Sequence, residues 1–302
     1  MSRSKGVVLL LLCFCLIFTG CVNQKQGQPT ESTAVSGSGT IVATSVSIVQ
    51  ICDKLGLDLV GVPKSDLAQM PERYKNATVV GSPMSPDMEI LSQVSPEWVL
   101  SPSSLQSDLQ PKYDAVGVKY GFLNLKSVLG MYKSISDMGE LFGCQERANQ
   151  LVAEFEEYYQ NYQASHQDKP SPTVLILMGL PGSYVVATEN SYVGSLVEMA
   201  GGRNVYAGTK DEFLNVNTED MLKKNPDVIL RTAHAMPESV MEMFAEEFRT
   251  NDIWKHFSAV QNNQVYDLPH ECFGMSANFK YPEALAYLDE LLYRNPLITG
   301  GM

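Results

Sequence analysis

Two short loops hold the side chains best suited to chemistry. They are Gly81-Ser82-Pro83-Met84-Ser85-Pro86-Asp87 and Arg231-Thr232-Ala233-His234-Ala235-Met236-Pro237-Glu238. Each follows an apolar run that reads as a strand and leads into a helical pattern opened by Pro. One offers a thioether and the other an imidazole, from what read as two separate lobes. A Met and a His facing each other across a cleft form an axial ligand pair for haem iron. Ligands collect beyond the carboxyl ends of strands in open parallel sheets, where both loops fall.

Met84 stands between Pro83 and Pro86, so a stiff loop holds a flexible side chain. Ser85 is expected to cap the following helix and Pro86 to occupy its first turn. Asp87 and Glu89 then complement the positive helix end. A Met more often fills a core gap than binds a metal, and Met88 and Met236 are rivals for the same role. A lone His is more often a satisfied surface residue than a ligand. His166 closes a long helix and His256 sits in an amphipathic stretch. His270, in Pro269-His270-Glu271-Cys272-Phe273, follows a strand and competes with His234. The Gly-rich stretch Met178-Gly179-Leu180-Pro181-Gly182-Ser183-Tyr184 permits tight turns and close backbone approach to a ligand. It lacks the Lys-Ser/Thr ending of a phosphate-binding loop. The chain contains no G-x-S-x-G elbow, no H-E-x-x-H and no G-x-G-x-x-G. Enzyme signals are therefore weak.

Short β-branched strands alternate with helices up to about Cys144: a strand over Thr40–Val46, a helix over Ser47–Leu55, strands at Leu57–Val62, Ala77–Val80 and Glu97–Leu100, and a helix over Met88–Val94. The alternation argues for a parallel sheet with crossover helices. Glu146 to His166 interrupts it. Ala148, Leu151, Val152, Phe155 and Tyr158 recur there at helical spacing with no Gly or Pro. A second α/β series follows, with strands at Thr173–Met178, Asp227–Arg231 and Gln264–Leu268. Its helices fall at Ser191–Ala200, Met241–Phe248 and Pro282–Tyr293. The expected fold is α/β, two Rossmann-like lobes joined by one long α-helix. The lobes cover residues 40–144 and 169–302, and the connecting helix covers 145–168. One continuous doubly wound domain is the alternative.

The ends and the composition set the location. Arg3 and Lys5 precede an apolar run from Gly6 to Phe18, the pattern of a signal peptide over residues 1–20. The run closes on Phe18-Thr19-Gly20-Cys21, which resembles a bacterial lipobox with Phe18 where Leu is more usual. Cleavage there would leave Cys21 lipidated and hold the protein at the outer face of a membrane. Residues 21–39, polar and Gly-rich, read as a flexible tether. Cys52, Cys144 and Cys272 remain, widely spaced and odd in number. They are expected as buried free thiols rather than a disulfide framework or zinc knuckle. The formal net charge is −12. Loss of the two positive charges of the signal takes it to −14, which argues against nucleic-acid binding.

Several long strings carry a resemblance. They are Gly81 to Pro86, Val174-Leu175-Ile176-Leu177-Met178-Gly179, Pro181-Gly182-Ser183-Tyr184, His234-Ala235-Met236-Pro237-Glu238 and Asn251-Asp252-Ile253-Trp254-Lys255-His256-Phe257. Through them the chain resembles the haem-receptor lipoproteins of the Gram-positive iron-regulated surface determinant uptake system. These are substrate-binding subunits of ABC importers with a class III periplasmic-binding-protein-like fold. The resemblance spans the chain beyond the tether. It implies haem (iron protoporphyrin IX) as transported ligand, held between Met84 and His234, with His270 not a ligand. It implies no enzymatic turnover and a location on the extracellular face of the membrane. Backbone amides at helix starts would hold the propionates, here at Ser45, Val46 and Ser47. Pro83, Tyr184 and His270 complete the expected pocket, and Pro269 to Cys272 departs from the family pattern. Glu89 and Glu219 would dock on an ABC permease driven by its ATPase, and surface haem-donor proteins would load the receptor. Three rivals stand beside this reading: a receptor for a ferric siderophore or cobalamin, a zinc or manganese receptor, and a surface haem-dependent enzyme.

Overall fold

The computed structural model describes residues 39–65 and 69–293. The signal peptide, Cys21 and nearly all of the tether lie outside the described residues. The first half runs β1 (Ile41–Ala43), α1 (Val46–Leu55), β2 (Leu59–Val62), β3 (Thr78–Val79), β4 (Gly81–Ser82), β5 (Ser85–Pro86), α2 (Met88–Val94), β6 (Trp98–Pro102), α3 (Gln106–Val116), β7 (Lys119–Leu123) and α4 (Val128–Leu141). After α5 (Gln145–His166), the second half runs β8 (Thr173–Leu180), β9 (Ser183–Ala187), α6 (Tyr192–Met199), β10 (Arg203–Asn204), β11 (Phe213–Leu214), α7 (Thr218–Lys224), β12 (Val228–Ala233), α8 (Pro237–Thr250), α9 (Ser258–Gln261), β13 (Val265–Asp267) and α10 (Tyr281–Tyr293).

Each half builds one sheet. The first is parallel throughout, in the order β3-β2-β1-β6-β7. The chain leaves β1 in one direction and returns at β6 on its other side, so β1 and β6 flank a topological switch point. The second has the order β11-β9-β8-β12-β13, with β10 also paired to β8. There β8, β10, β12 and β13 are parallel, while β9 folds back antiparallel on β8. Central parallel strands are covered on both faces, and their sequences show it: Val174 to Met178 is buried without a break.

Three apolar clusters fill the layers. One lies on the outer face of the first sheet, where Val42, Val99, Leu109 and Tyr113 meet. Another fills the outer face of the second sheet under α8, around Leu175, Ile229, Phe244 and Trp254. The third is shared. It takes Ile41 and Ala43 from β1, Ile176 and Leu230 from the second sheet, and Ile135, Phe155, Leu196 and Leu285 from the helices between. The two Rossmann-like lobes therefore rest on one continuous core. Inside it the rings of Tyr132 and Phe155 stack at 4.2 Å, and Tyr281 meets Phe155 edge-on at 5.6 Å. The Tyr132 and Tyr281 hydroxyls lie 3.2 Å apart. The Ala277 amide donates to the Leu125 carbonyl at 2.8 Å, and Lys126 pairs with Glu212 at 2.8 Å.

α5 holds 22 residues, in the place the sequence pattern sets for it. At its end His166 Nε2 lies 2.6 Å from Asp289 of α10, and Lys169 bonds the same carboxylate. Burial raises the Asp289 pKa, and the hydrogen bonds from Lys169 and His166 outweigh it, holding the carboxyl below its ordinary value. His166 is thus taken up by structure, as its position suggests. Cys52 and Cys144 are buried, Cys272 is half-buried, and all three are free.

Candidate functional site

Met84 sits at the tip of a hairpin. β4 and β5 pair Gly81 with Pro86 and Ser82 with Ser85, leaving Pro83 and Met84 as a two-residue turn. Gly81 adopts φ +98°, and a Cβ there would meet the Ser85 carbonyl oxygen at 3.0 Å. Only Gly suits that place without strain. The Gly81 carbonyl accepts from the Lys64 amide and the Asp87 amide donates to Val80, both at 2.7 Å, so the hairpin is fixed at its base. The Met84 side chain is 66% exposed. An exposed thioether on a pinned hairpin is not a core filler.

The helix start beyond the hairpin corrects the sequence expectation. Ser85 does not cap α2 and Pro86 is not in its first turn. Both are paired in β5, and Asp87 is the N-cap, its Oδ1 accepting from the amides of Glu89 and Ile90 at 2.9 and 3.1 Å. With the Ser85 backbone taken into the hairpin arm, Asp87 is the residue left at the helix start, and its carboxylate serves as the cap.

His234 stands one residue beyond β12. Its amide donates to the Gly179 carbonyl at 2.9 Å, continuing the pairing of β12 with β8 by one step. Gly179 matters for packing, because a Cβ there would meet Val240 Cγ1 at 2.1 Å and Phe244 Cε2 at 2.8 Å. The glycine lets α8 sit close on β8. Close approach by a helix is thus its role here, while Gly182, at φ +78°, makes the β8–β9 turn. Burial lowers the His234 pKa, so the ring is neutral at pH 7. Among the described residues neither ring nitrogen has a hydrogen-bond partner. A half-buried neutral imidazole with a free lone pair is a ready metal ligand.

The remaining expected pocket residues come from both halves of the chain. Ser45 is buried at the carboxyl end of β1 and caps α1, its Oγ accepting from the Ile48 amide at 3.4 Å. The amides of Val46 and Ser47 have no carbonyl one turn back to bond. They open α1 at the switch point, in a first turn free of acidic side chains. Pro83 shares the hairpin tip with Met84. Tyr184 lies on β9 opposite Gly179, and its ring packs on Phe244 at 5.5 Å under α8. Its hydroxyl donates to Glu247 at 3.0 Å, and burial with that carboxylate pushes the phenol pKa up. His270 follows β13, half-buried, with Nδ1 3.5 Å from Glu271. Glu89 and Glu219 are exposed in the first turns of α2 and α7.

Some supporting residues give no sequence signal. Thr44, Ser101 and Tyr113 form a buried hydroxyl chain, each step 2.8 Å, which ties the ends of β1 and β6 beside Ser45. Glu247 Oε1 accepts from Tyr184, Asn251 and Trp254 at 3.0, 2.9 and 3.0 Å. Arg231 grips Asp267 through two bonds of 2.6 and 2.9 Å and joins the ends of β12 and β13. A polar cavity of about 530 Å³ opens elsewhere, by Lys126, Tyr159, Glu198 and Glu212. None of the expected site residues lines it. Among the described residues no three His, Cys, Asp or Glu side chains converge as a metal site would require.

The periplasmic binding protein family model matches residues 41–272. The chain belongs to the periplasmic binding protein family. It is 40% identical over 287 residues, 95% of this chain and 97% of the relative, to the high-affinity heme uptake system protein IsdE of Staphylococcus aureus strain Newman. The crystal structure of S. aureus IsdE complexed with heme superposes with a TM-score of 0.81 at 43% identity, over 85% of this chain and all of the other. An ABC transporter substrate-binding protein from Listeria monocytogenes EGD-e gives the same TM-score and coverage at 46% identity. The lobes and long helix described above are the class III arrangement of this family, whose members bind solutes rather than transform them.

Proposed function

We propose that this protein is an extracellular haem receptor delivering haem to an ABC importer for iron acquisition. The observation that carries the reading is the chemistry of two loops. An exposed thioether on a pinned hairpin and an unpartnered neutral imidazole both stand beyond the carboxyl ends of parallel strands. The likeness to a heme uptake protein over nearly the whole chain supports it. Met84 and His234 are the axial ligands, one from each lobe. The free amides of Val46 and Ser47 receive a propionate at the positive end of α1. Apolar contact supplies most of the binding energy, because a porphyrin offers a large flat hydrocarbon face. The axial bonds set orientation and discriminate against other tetrapyrroles.

Lipid on Cys21 holds the receptor at the outer face of the membrane, where surface haem-donor proteins load it. Glu89 and Glu219 present exposed carboxylates to permease Arg residues, and the ATPase drives release and import. The test uses protein lacking residues 1–20, mixed with haem. The wild type should show a Soret band that shifts in Met84→Ala and again in His234→Ala. A double variant with the wild-type spectrum would remove the ligand assignment. A wild type with no Soret band would remove the haem reading.

A further inference from the structure

The residue two places beyond His234 is built at a cost that local structure does not explain. Met236 has φ +47° and ψ +56°, the left-handed region. That region is unfavourable for a residue with a Cβ. It is one of four non-glycine residues with positive φ among the described residues, and two of the others are Asn. Asn tolerates the left-handed region by bonding locally through its short amide. Met cannot. Met236 precedes Pro237, whose ring narrows the choices of its neighbour further.

Nothing nearby compensates. Met236 occupies the N-cap of α8 and makes no side-chain cap bond, where Ser, Asp or Asn would. Its side chain is 58% exposed and joins none of the three apolar clusters. The segment is pinned at both ends, by the His234 amide on Gly179 and by Pro237 at the start of α8. The backbone therefore holds the side chain out while its unbranched stem stays free to swing. What Met offers that Gly and Asn do not is a soft, polarizable sulfur. Strain of this kind gathers at functional sites.

We propose that the Met236 thioether is a second soft donor for haem iron on the His234 side, taking the axial position when His234 gives it up. The proposal rests on the haem reading above. Met84, His234 and Met236 are then three donors for two axial positions, and iron can change partner during handover without becoming five-coordinate.

The test compares haem complexes of wild type, His234→Ala and His234→Ala/Met236→Leu, with the melting temperature of apo Met236→Gly as an independent measurement. His234→Ala should stay low-spin and six-coordinate with two thioether ligands, and adding Met236→Leu should convert it to high-spin. Apo Met236→Gly should melt higher than wild type, because relief of strain removes no packing. Three results would overturn the proposal. His234→Ala could already be high-spin, the double variant could match it, or Met236→Gly could melt lower and so give Met236 a structural role. A wild type that binds no haem would fell the haem reading itself, and this proposal with it.

Discussion

In the proposed haem site, iron and protons compete for the same nitrogen of His234. Burial lowers the His234 pKa from its ordinary value, so the proton wins only at lower pH than it would for a free imidazole. Haem affinity should therefore be flat above about pH 6.5 and fall on acidification below it. A spectroscopic titration checks this, and His234→Ala should lose the step. The same shift makes apo stability pH-dependent. The folded pKa lies below the unfolded one, so the contribution is present above about pH 6.5 and is lost as pH falls through the folded value. Met236→Gly should stabilise the apo protein by ~1 kcal/mol in urea unfolding, since the left-handed conformation no longer meets a Cβ. At this scale the sequence is partly legible. Met84 and His234 offer donors on loops that follow strands, but Met236 and His270 stand on such loops too, so residue type alone does not choose among them. The cap of α2 is misplaced by the sequence pattern because Ser85-Pro86 matches a helix start and a hairpin arm equally well. The choice turns on the hairpin, which reverses at Pro83-Met84 and takes Ser85 and Pro86 into its second arm opposite Ser82 and Gly81. The strain at Met236 has no signature in residue type.

α8 is the element that places the second loop, and two contacts set its height and tilt. Gly179 sets the height. In Gly179→Ala the new methyl meets Val240 and Phe244, so α8 must rise, and the expected loss is about 1–3 kcal/mol of stability. Haem affinity should fall with it, since His234 is bonded to that residue, and unfolding and haem titration on one preparation check both. Glu247 sets the tilt. Glu247→Ala strands the Trp254 indole, which is fully buried, along with the Asn251 amide and the Tyr184 hydroxyl, at an expected ~3 kcal/mol in denaturant unfolding. The elements themselves are readable from periodicity. α2 and α5 lie within a residue of expectation, and Pro237 opens α8 as its position suggests. β8 and β12 run two residues further than their apolar patterns, because pairing with each other and with β9 carries the ladder on through Gly179-Leu180 and Thr232-Ala233. Glu247 and Tyr184 lie 63 positions apart, so no local pattern could announce their bond.

The molecule as a whole is two sheets pressed on a common layer of helices. A rigid α5, clipped to α10 through His166, Lys169 and Asp289, leaves little freedom for one lobe to swing. Small-angle scattering should give nearly the same radius of gyration with and without haem. Phe155 stands where the shared aromatic stack crosses between lobes. Phe155→Ala should cost about 3–5 kcal/mol and should widen the difference between the two scattering curves. The bilobed plan is legible from the uninterrupted helix between two α/β series. The merging of both inner faces into one cluster is not, because it joins residues as distant as Ile41 and Leu285. That merging has a thermodynamic consequence. When neither half owns the layer beneath it, neither can melt alone. Differential scanning calorimetry should trace one peak whose calorimetric and van't Hoff enthalpies agree, and a fragment cut after His166 should not survive as a soluble species.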